Sequence, residues 1–380
     1  MRMLVAGGGT GGHVFPGIAL AEEVVTRHPA NDVLFVGTAR GLEATVVPQE
    51  GFPIELIQVK GLKGKGLLET AKNLLLLPLA FVQSWRILRK WRPDIVVGVG
   101  GYASGPVVLV AWLLRIPTAV QEQNAIPGFT NRMLGRFAQA AFTAFPEAVK
   151  HFPRRKVYQL GNPIRRKLME NYMRPEVKHD TPKLLVFGGS QGAHALNMRV
   201  VEALPHLADL RDRLRITHQT GAMDREQVEN GYRACGFAPD VREFITDMSA
   251  AYAETDLVVC RAGAMALAEL TVCKKPSILV PFPFAADNHQ LHNARSLVDA
   301  GAAVMIEERD LTGELLAHEI RAILATPERR ERMARAAGRL GSPQASKEIA
   351  DVCIELVRRR WGSPMGQPRE AADAPARRAG

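Results

Sequence analysis

The chain has 380 residues, 47% of them hydrophobic, enough length and apolar material for two domains of about 150–200 residues each. Its net charge of +10 is unevenly spread: residues 1–164 carry 18 Lys and Arg against 10 Asp and Glu (+8), and residues 165–380 carry 31 against 29 (+2). Four cysteines (Cys235, Cys260, Cys273, Cys353) have no paired spacing, which excludes a disulfide framework and fits reduced thiols in a cytoplasmic protein. The first strand begins at Met3 with no charged leader before a long apolar run, so no secretory signal is expected. A basic surplus confined to the first half points to an anionic partner there: nucleic acid, a phosphorylated substrate or an acidic membrane.

Short apolar runs alternate with amphipathic stretches through the first half. The runs are 3–6, 33–37, 54–59, 94–100, 118–122, 140–145 and 157–161, and the alternation predicts a parallel sheet covered by helices on both faces. Between the third and fourth runs, LLLLPLAFVQSWRILRKWRP (74–93) has nine uninterrupted apolar residues followed by Arg86, Arg89, Lys90 and Arg92. A spanning helix needs about 20 apolar residues, so this stretch is predicted to lie on an anionic leaflet instead. After a break near GNPIRRKL (161–168) the pattern restarts with KLLVFGGSQGAHALN (183–197) and continues through 214–221, 241–244, 256–260, 276–281 and 302–307. Residues 312–338 and 343–360 read as helices, and 362–380 as a disordered tail. The fold class predicted is α/β, two Rossmann-like halves facing a cleft.

The opening strand runs into GGGTGGH (7–13), and Gly7, Gly9 and Gly12 fit G-x-G-x-x-G. A dinucleotide site also needs an acid at the end of the second strand. That strand ends VLFVGTARG, and Asp32 lies at its start. What remains is a backbone cradle for an anion at a helix N-terminus. His13 sits in the first turn, where the macrodipole disfavours imidazolium and keeps the ring fit to act as a base. A second turn, GGSQGA (188–193), repeats the design around Ser190. CRAGAMALAEL (260–270) lets backbone approach a ligand closely and places Glu269 where a carboxylate could accept both ribose hydroxyls. PFPFAADNHQLHNA (281–294) gathers amides and histidines suited to sugar hydroxyls. His289 and His292 lack a convincingly spaced third metal ligand, and no D-x-D triplet occurs, so no tightly bound metal is expected.

These stretches, with KGLKGKG (60–66), GGYASGP (100–106), EQNAIPGFTNR (122–132), GNPIR (161–165) and EFITDM (243–248), resemble the MurG family in order and over residues 3 to about 360. The resemblance implies a GT-B fold. Its domains would be an acceptor- and membrane-facing one (1–164), a UDP-GlcNAc-binding one (165–345) and a C-terminal helix packing back (346–361). It implies inverting transfer of N-acetylglucosamine (GlcNAc) from UDP-GlcNAc to undecaprenyl-pyrophosphoryl-MurNAc-pentapeptide (lipid I), giving lipid II. It further implies that Ile245 meets uracil through its backbone, Glu269 holds the ribose, and Ser190 and Arg165 lie near the diphosphate with Ala264, Met265 and Ala266. Gln290 would read the sugar, with Asn124 reaching across. Thr10, Gly11 and Gly12 would border the cleft, and His13 would be the base. Ala262 and His289 depart from the family's common serine and glutamine. The partners implied are UDP-GlcNAc, lipid I, an anionic membrane surface through about 74–92 and other cell-wall synthesis proteins, at the cytoplasmic face of the inner membrane. The rival readings are a nicotinamide oxidoreductase without its ribose acid, a nucleic-acid binder with only Trp85 and Trp91 as interleaved aromatics, and a GT-B relative with another acceptor, such as a diacylglycerol glucosyltransferase or a UDP-GlcNAc 2-epimerase.

Overall fold

The computed structural model describes residues 1–60, 76–172, 181–189 and 191–362. Its first sheet is built from β1 (Arg2–Gly7), β2 (Asp32–Gly37), β3 (Ile54–Leu56), β4 (Ile95–Gly100), β5 (Thr118–Glu122), β6 (Ala140–Thr143) and β7 (Val157–Gln159). They pair in the order β3-β2-β1-β4-β5-β6-β7, all parallel. The intervening helices are α1 (Gly11–Arg27), α2 (Glu43–Gln49), α3 (Leu77–Trp91), α4 (Ser104–Leu113), α5 (Phe129–Leu134) and α6 (Pro146–Val149). The central strands are buried throughout, β4 and β5 at every position, as continuous apolar runs between two helical layers require.

The second half repeats the plan. After α7 (Arg166–Tyr172), strands β8 (Lys183–Phe187), β9 (Arg215–Gln219), β10 (Asp240–Arg242), β11 (Leu257–Cys260), β12 (Ser277–Leu279) and β13 (Ala303–Met305) pair as β10-β9-β8-β11-β12-β13, again all parallel. Helices α8 (His194–Ala203), α9 (Arg225–Ala234), α10 (Met248–Ala253), α11 (Ala264–Val272) and α12 (His289–Asp299) alternate with them, followed by α13 (Gly313–Leu324), α14 (Pro327–Leu340) and α15 (Ala345–Trp361). The single helix expected over 312–338 is two helices. Pro327 has no N–H to continue α13, so it opens α14 at its first position, after Thr326. The tail expected over 362–380 lies, beyond Gly362, outside the described residues.

Both strand orders reverse beside their first strand, between β1 and β4 and between β8 and β11. Ligands of open α/β sheets bind beyond the carboxyl ends of the strands at such reversals. The glycine-bearing loops that follow β1, β4, β8 and β11 emerge there. The last helix, α15, returns to the first half: Ile349, Ala350 and Cys353 are fully buried in one cluster with Met3, Val5, Ile18 and Val97. Trp361 closes the return, its indole N–H donating to the Asp94 carbonyl at 3.2 Å.

Candidate functional site

At the first reversal the loop after β1 lies on the loop after β4, and the Gly8 N–H donates to the Gly100 carbonyl at 3.2 Å. Gly100 and Gly101 have φ of 97° and 80°. A Cβ at Gly100 would stand 2.6 Å from the His13 ring, and one at Gly101 would land on the Gly8 carbonyl. Only glycines allow this approach. Thr10 is the exposed N-cap of α1, and Gly11 and Gly12 form its first two positions. His13 Nδ1 lies 3.2 Å from the Gly8 carbonyl and 3.4 Å from Thr10 Oγ1. A carbonyl only accepts, so Nδ1 carries the proton and Nε2 keeps its lone pair. Burial holds the ring's pKa below the ordinary histidine value; the Gly8 carbonyl and Glu43 oppose this, and His289 reinforces it. A neutral imidazole with Nε2 as the basic atom is equipped to take a proton.

Sequence reasoning missed Glu43, which is 1% exposed beneath this loop. Its carboxylate accepts the Gly9 N–H at 2.7 Å, the Thr38 N–H at 2.8 Å and the Thr38 hydroxyl at 3.0 Å. Side chains at Gly8, Gly37 or Gly41 would collide with it. The sequence signal was there: two glycines, Gly37 and Gly41, and an acid in a short span at the end of β2. One N–H of the expected anion cradle is therefore engaged from below. The acid that follows β2 is buried under the loop rather than placed to hold a ribose.

At the second reversal, Gly188 and Gly189 follow β8, while Arg261–Gly263 follow β11. Ser190 lies outside the described residues. Ile245 is buried, and its N–H donates to Gln219 Oε1 at 3.0 Å, so a backbone contact to a base falls to its carbonyl. Ala264, Met265 and Ala266 form the first turn of α11, whose N-cap, Gly263, makes no side-chain cap hydrogen bond and has open space around it. Such a terminus accepts an anion. Glu269 follows on the same helix and accepts the Tyr252 hydroxyl at 3.1 Å. Burial pushes its carboxyl above the usual range, against the pull of Arg165 and Tyr252. The Arg165 guanidinium lies 4.9 Å over the Phe15 ring, which belongs to α1 of the first half. Gln290, in the first turn of α12, accepts the Phe282 N–H through Oε1 at 2.9 Å, leaving Nε2 to donate.

The two halves meet through amides. Asn293, fully buried on α12, accepts the Ala125 N–H at 2.8 Å and donates to Asn124 Oδ1 at 3.2 Å. Asn124 is held in turn by Glu122, whose buried carboxylate accepts its N–H at 3.0 Å, the Gly128 N–H at 3.1 Å and Asn131 Nδ2 at 3.0 Å. Burial raises the Glu122 pKa against those donors. Ser296 to Glu147 at 2.8 Å and the Arg166 N–H to Glu22 at 3.1 Å add further ties. Thus His13 and Asn124 from the first half and Arg165, Glu269 and Gln290 from the second all belong to the facing carboxyl edges. Among the described residues no three His, Cys, Asp or Glu side chains converge as a metal-binding group.

Residues 3–143 match the glycosyltransferase family 28 N-terminal domain and residues 183–351 its C-terminal domain. A protein of Anaeromyxobacter dehalogenans strain 2CP-C is 83% identical over 377 residues, covering 99% of this chain and 98% of its own. One of Myxococcus xanthus strain DK1622 is 61% identical over 374 residues, covering 98% and 97%. Both are named UDP-N-acetylglucosamine--N-acetylmuramyl-(pentapeptide) pyrophosphoryl-undecaprenol N-acetylglucosamine transferase. The crystal structure of Acinetobacter baumannii MurG matches with a TM-score of 0.75 at 32% identity, over 93% of this chain and 99% of that one. A UDP-GlcNAc 2-epimerase from Neisseria meningitidis, at 14% identity and a TM-score of 0.66 over 93% of this chain and all of its own, shares the fold alone. The paired parallel sheets are a GT-B fold, and the identity along nearly the whole length settles the kinship: this chain belongs to the MurG family of glycosyltransferases.

Proposed function

We propose that this chain transfers N-acetylglucosamine from UDP-GlcNAc to the 4-hydroxyl of MurNAc in lipid I, making lipid II for peptidoglycan synthesis. The observation that carries the reading is the 83% identity, along 99% of the chain, with a relative of that name. In the mechanism that fits the geometry, the acceptor 4-hydroxyl attacks the anomeric carbon of GlcNAc from the side opposite UDP. Its proton passes to His13 Nε2. The anomeric C–O bond to phosphate breaks, its electron pair leaves with UDP, and the configuration inverts. The N-terminus of α11 and Arg165 take up the charge that grows on the diphosphate, with no tightly bound metal assigned to that role. Glu269 accepts the ribose hydroxyls with the oxygen valences that Tyr252 leaves, Ile245 meets the base through its carbonyl, and Gln290 and Asn124 address the sugar. Incubation with radiolabelled UDP-GlcNAc and a short-chain lipid I analogue, with the product identified by mass, tests the reading. A disaccharide-bearing lipid is expected. Epimerised UDP-sugar, or label on another acceptor only, would overturn it.

A membrane role is part of the proposal. On α3, Leu79, Val82 and Trp85 are 40%, 45% and 45% exposed, and Leu113 on α4 is 63% exposed. Phe81, Val82, Trp85, Val110, Leu113 and Leu114 line one apolar hollow between these helices. Arg89 lies over the Trp85 ring at 5.4 Å, beside Lys90 and Arg92. No helix among the described residues is long and apolar enough to cross a membrane. An apolar face rimmed by cations suits a helix that rests on an anionic leaflet, and supports a peripheral location at the cytoplasmic face of the inner membrane, where lipid I would be met. Leu74 and Leu75, the start of the expected run, lie outside the described residues.

A further inference from the structure

We propose that Gln219 is a positioning residue for the donor nucleotide, fixing the nucleobase segment and the diphosphate turn to each other through one side chain. The inference rests on the donor assignment above. Gln219 ends β9 and is 3% exposed. Its Nε2 lies 2.8 Å from the Gly189 carbonyl, and its Oε1 lies 3.0 Å from the Ile245 N–H. A carbonyl only accepts and a backbone N–H only donates, so the two partners fix the orientation of the amide without ambiguity. Both ends of the amide therefore act on main chain that faces the donor, while the preceding residue, His218, turns into the core.

The neighbouring backbone shows that the three segments are one packed unit. Gly192 donates its N–H at 2.9 Å to the same Gly189 carbonyl that Gln219 grips. A Cβ at Gly192 would land on the Thr220 carbonyl, and one at Gly221 on the Gln191 carbonyl. From the other side, Thr220 and Gly221 donate to the Arg242 and Glu243 carbonyls at 3.0 and 3.1 Å. Segment 219–221 is thus pressed between the turn after β8 and the strand leading to Ile245. Gln219 is the side chain that reaches both ligand-facing ends. Base and diphosphate recognition are then coupled: a nucleotide that engages one segment finds the other already in place, and the ordering cost of binding falls. Glutamate at this position could still accept from Ile245 N–H. It would have no hydrogen for the Gly189 carbonyl and would set a negative charge beside the diphosphate turn.

Calorimetric titration of UDP and of uridine into the full-length parent, Gln219→Glu and Gln219→Ala tests the proposal, with circular dichroism as the check on folding. Gln219→Glu should lose about ten-fold or more in UDP affinity while uridine stays within about three-fold of the parent. Gln219→Ala, which adds no charge, should weaken both ligands, UDP by about ten-fold or more. In steady-state transfer the KM for UDP-GlcNAc should rise in both variants while the acceptor KM holds. Parent-like UDP affinity in either variant would overturn the proposal, as would equal losses of UDP and uridine in Gln219→Glu. Failure of the donor assignment itself has a different signature: Glu269→Ala would then bind UDP as tightly as the parent.

Discussion

His218 stands fully buried on β9, its Nε2 3.1 Å from Asn197 Oδ1 and its Nδ1 3.2 Å from the Tyr232 hydroxyl. The amide oxygen accepts, so Nε2 bears the hydrogen and Nδ1 accepts from Tyr232. Burial pushes this histidine down to about 3. The unfolded chain protonates near pH 6.5 and the folded one does not, so between those two values unfolding takes up one proton. Stability is therefore full above about pH 6.5 and falls as the pH drops toward 3, by about 1.4 kcal/mol per pH unit from this group. Denaturant unfolding of the second half as a function of pH should show that slope, and His218→Asn should flatten it. An unchanged slope in the variant would mean other groups set the acid limit. His13 moves in the same direction for the same first cause, burial. The transfer rate should accordingly hold to a pH below the ordinary histidine range before its acid limb begins.

At the scale of elements, α3 and α4 make the sharpest claim. Changing Leu79, Val82 and Trp85 to Ser removes apolar groups that are already 40–45% exposed, so the fold should lose little. Co-sedimentation with anionic vesicles should fall, while turnover of a water-soluble acceptor analogue stays near the parent. Undiminished co-sedimentation would remove these side chains from the membrane contact. The elements themselves were largely legible in the sequence, because continuous apolar runs announce buried parallel strands and glycine clusters announce strand-to-helix turns. The one helix read across 312–338 failed because a helical periodicity on both sides of Pro327 masked the break. The candidate site could be read from the sequence where the proposal rests on local patterns, as at His13 after its glycines or Glu269 on α11. It was not legible where a side chain acts on distant main chain: Glu43 holds Gly9 from 34 residues away, Gln219 holds Ile245 from 26, and Asn293 holds Ala125 from 168. No local pattern encodes such pairings. Only the strand order, which brings the loops together, reveals them.

For the molecule as a whole, the return of α15 makes the first half depend on the far end of the chain. Ile349 is fully buried against β1, α1 and β4 residues. Ile349→Ala should cost about 2–5 kcal/mol, the usual range for such a truncation in a packed core. Hydrogen exchange reads this by region: amides of β1 should lose protection and those of β8 should keep theirs. Equal loss in both strands would mean the halves unfold as one unit. The division of labour between the halves is the larger claim. In the proposed scheme the first half would hold the acceptor and the base on the loops after β1 and β4, and the second would hold the nucleotide on the loops after β8 and β11. The part-buried Asn293–Asn124 contact joins the two edges. His13→Ala separates these roles, since it removes the base without touching any group assigned to the nucleotide. The deciding measurement is the single-turnover transfer rate of His13→Ala as a function of UDP-GlcNAc concentration, with saturating lipid I analogue. The rate at saturation should fall by about 10²–10⁴, the usual contribution of a general base, and the half-saturating donor concentration should stay within a few-fold of the parent. A parent-like rate, or a folded variant whose donor saturation is lost, would contradict the account.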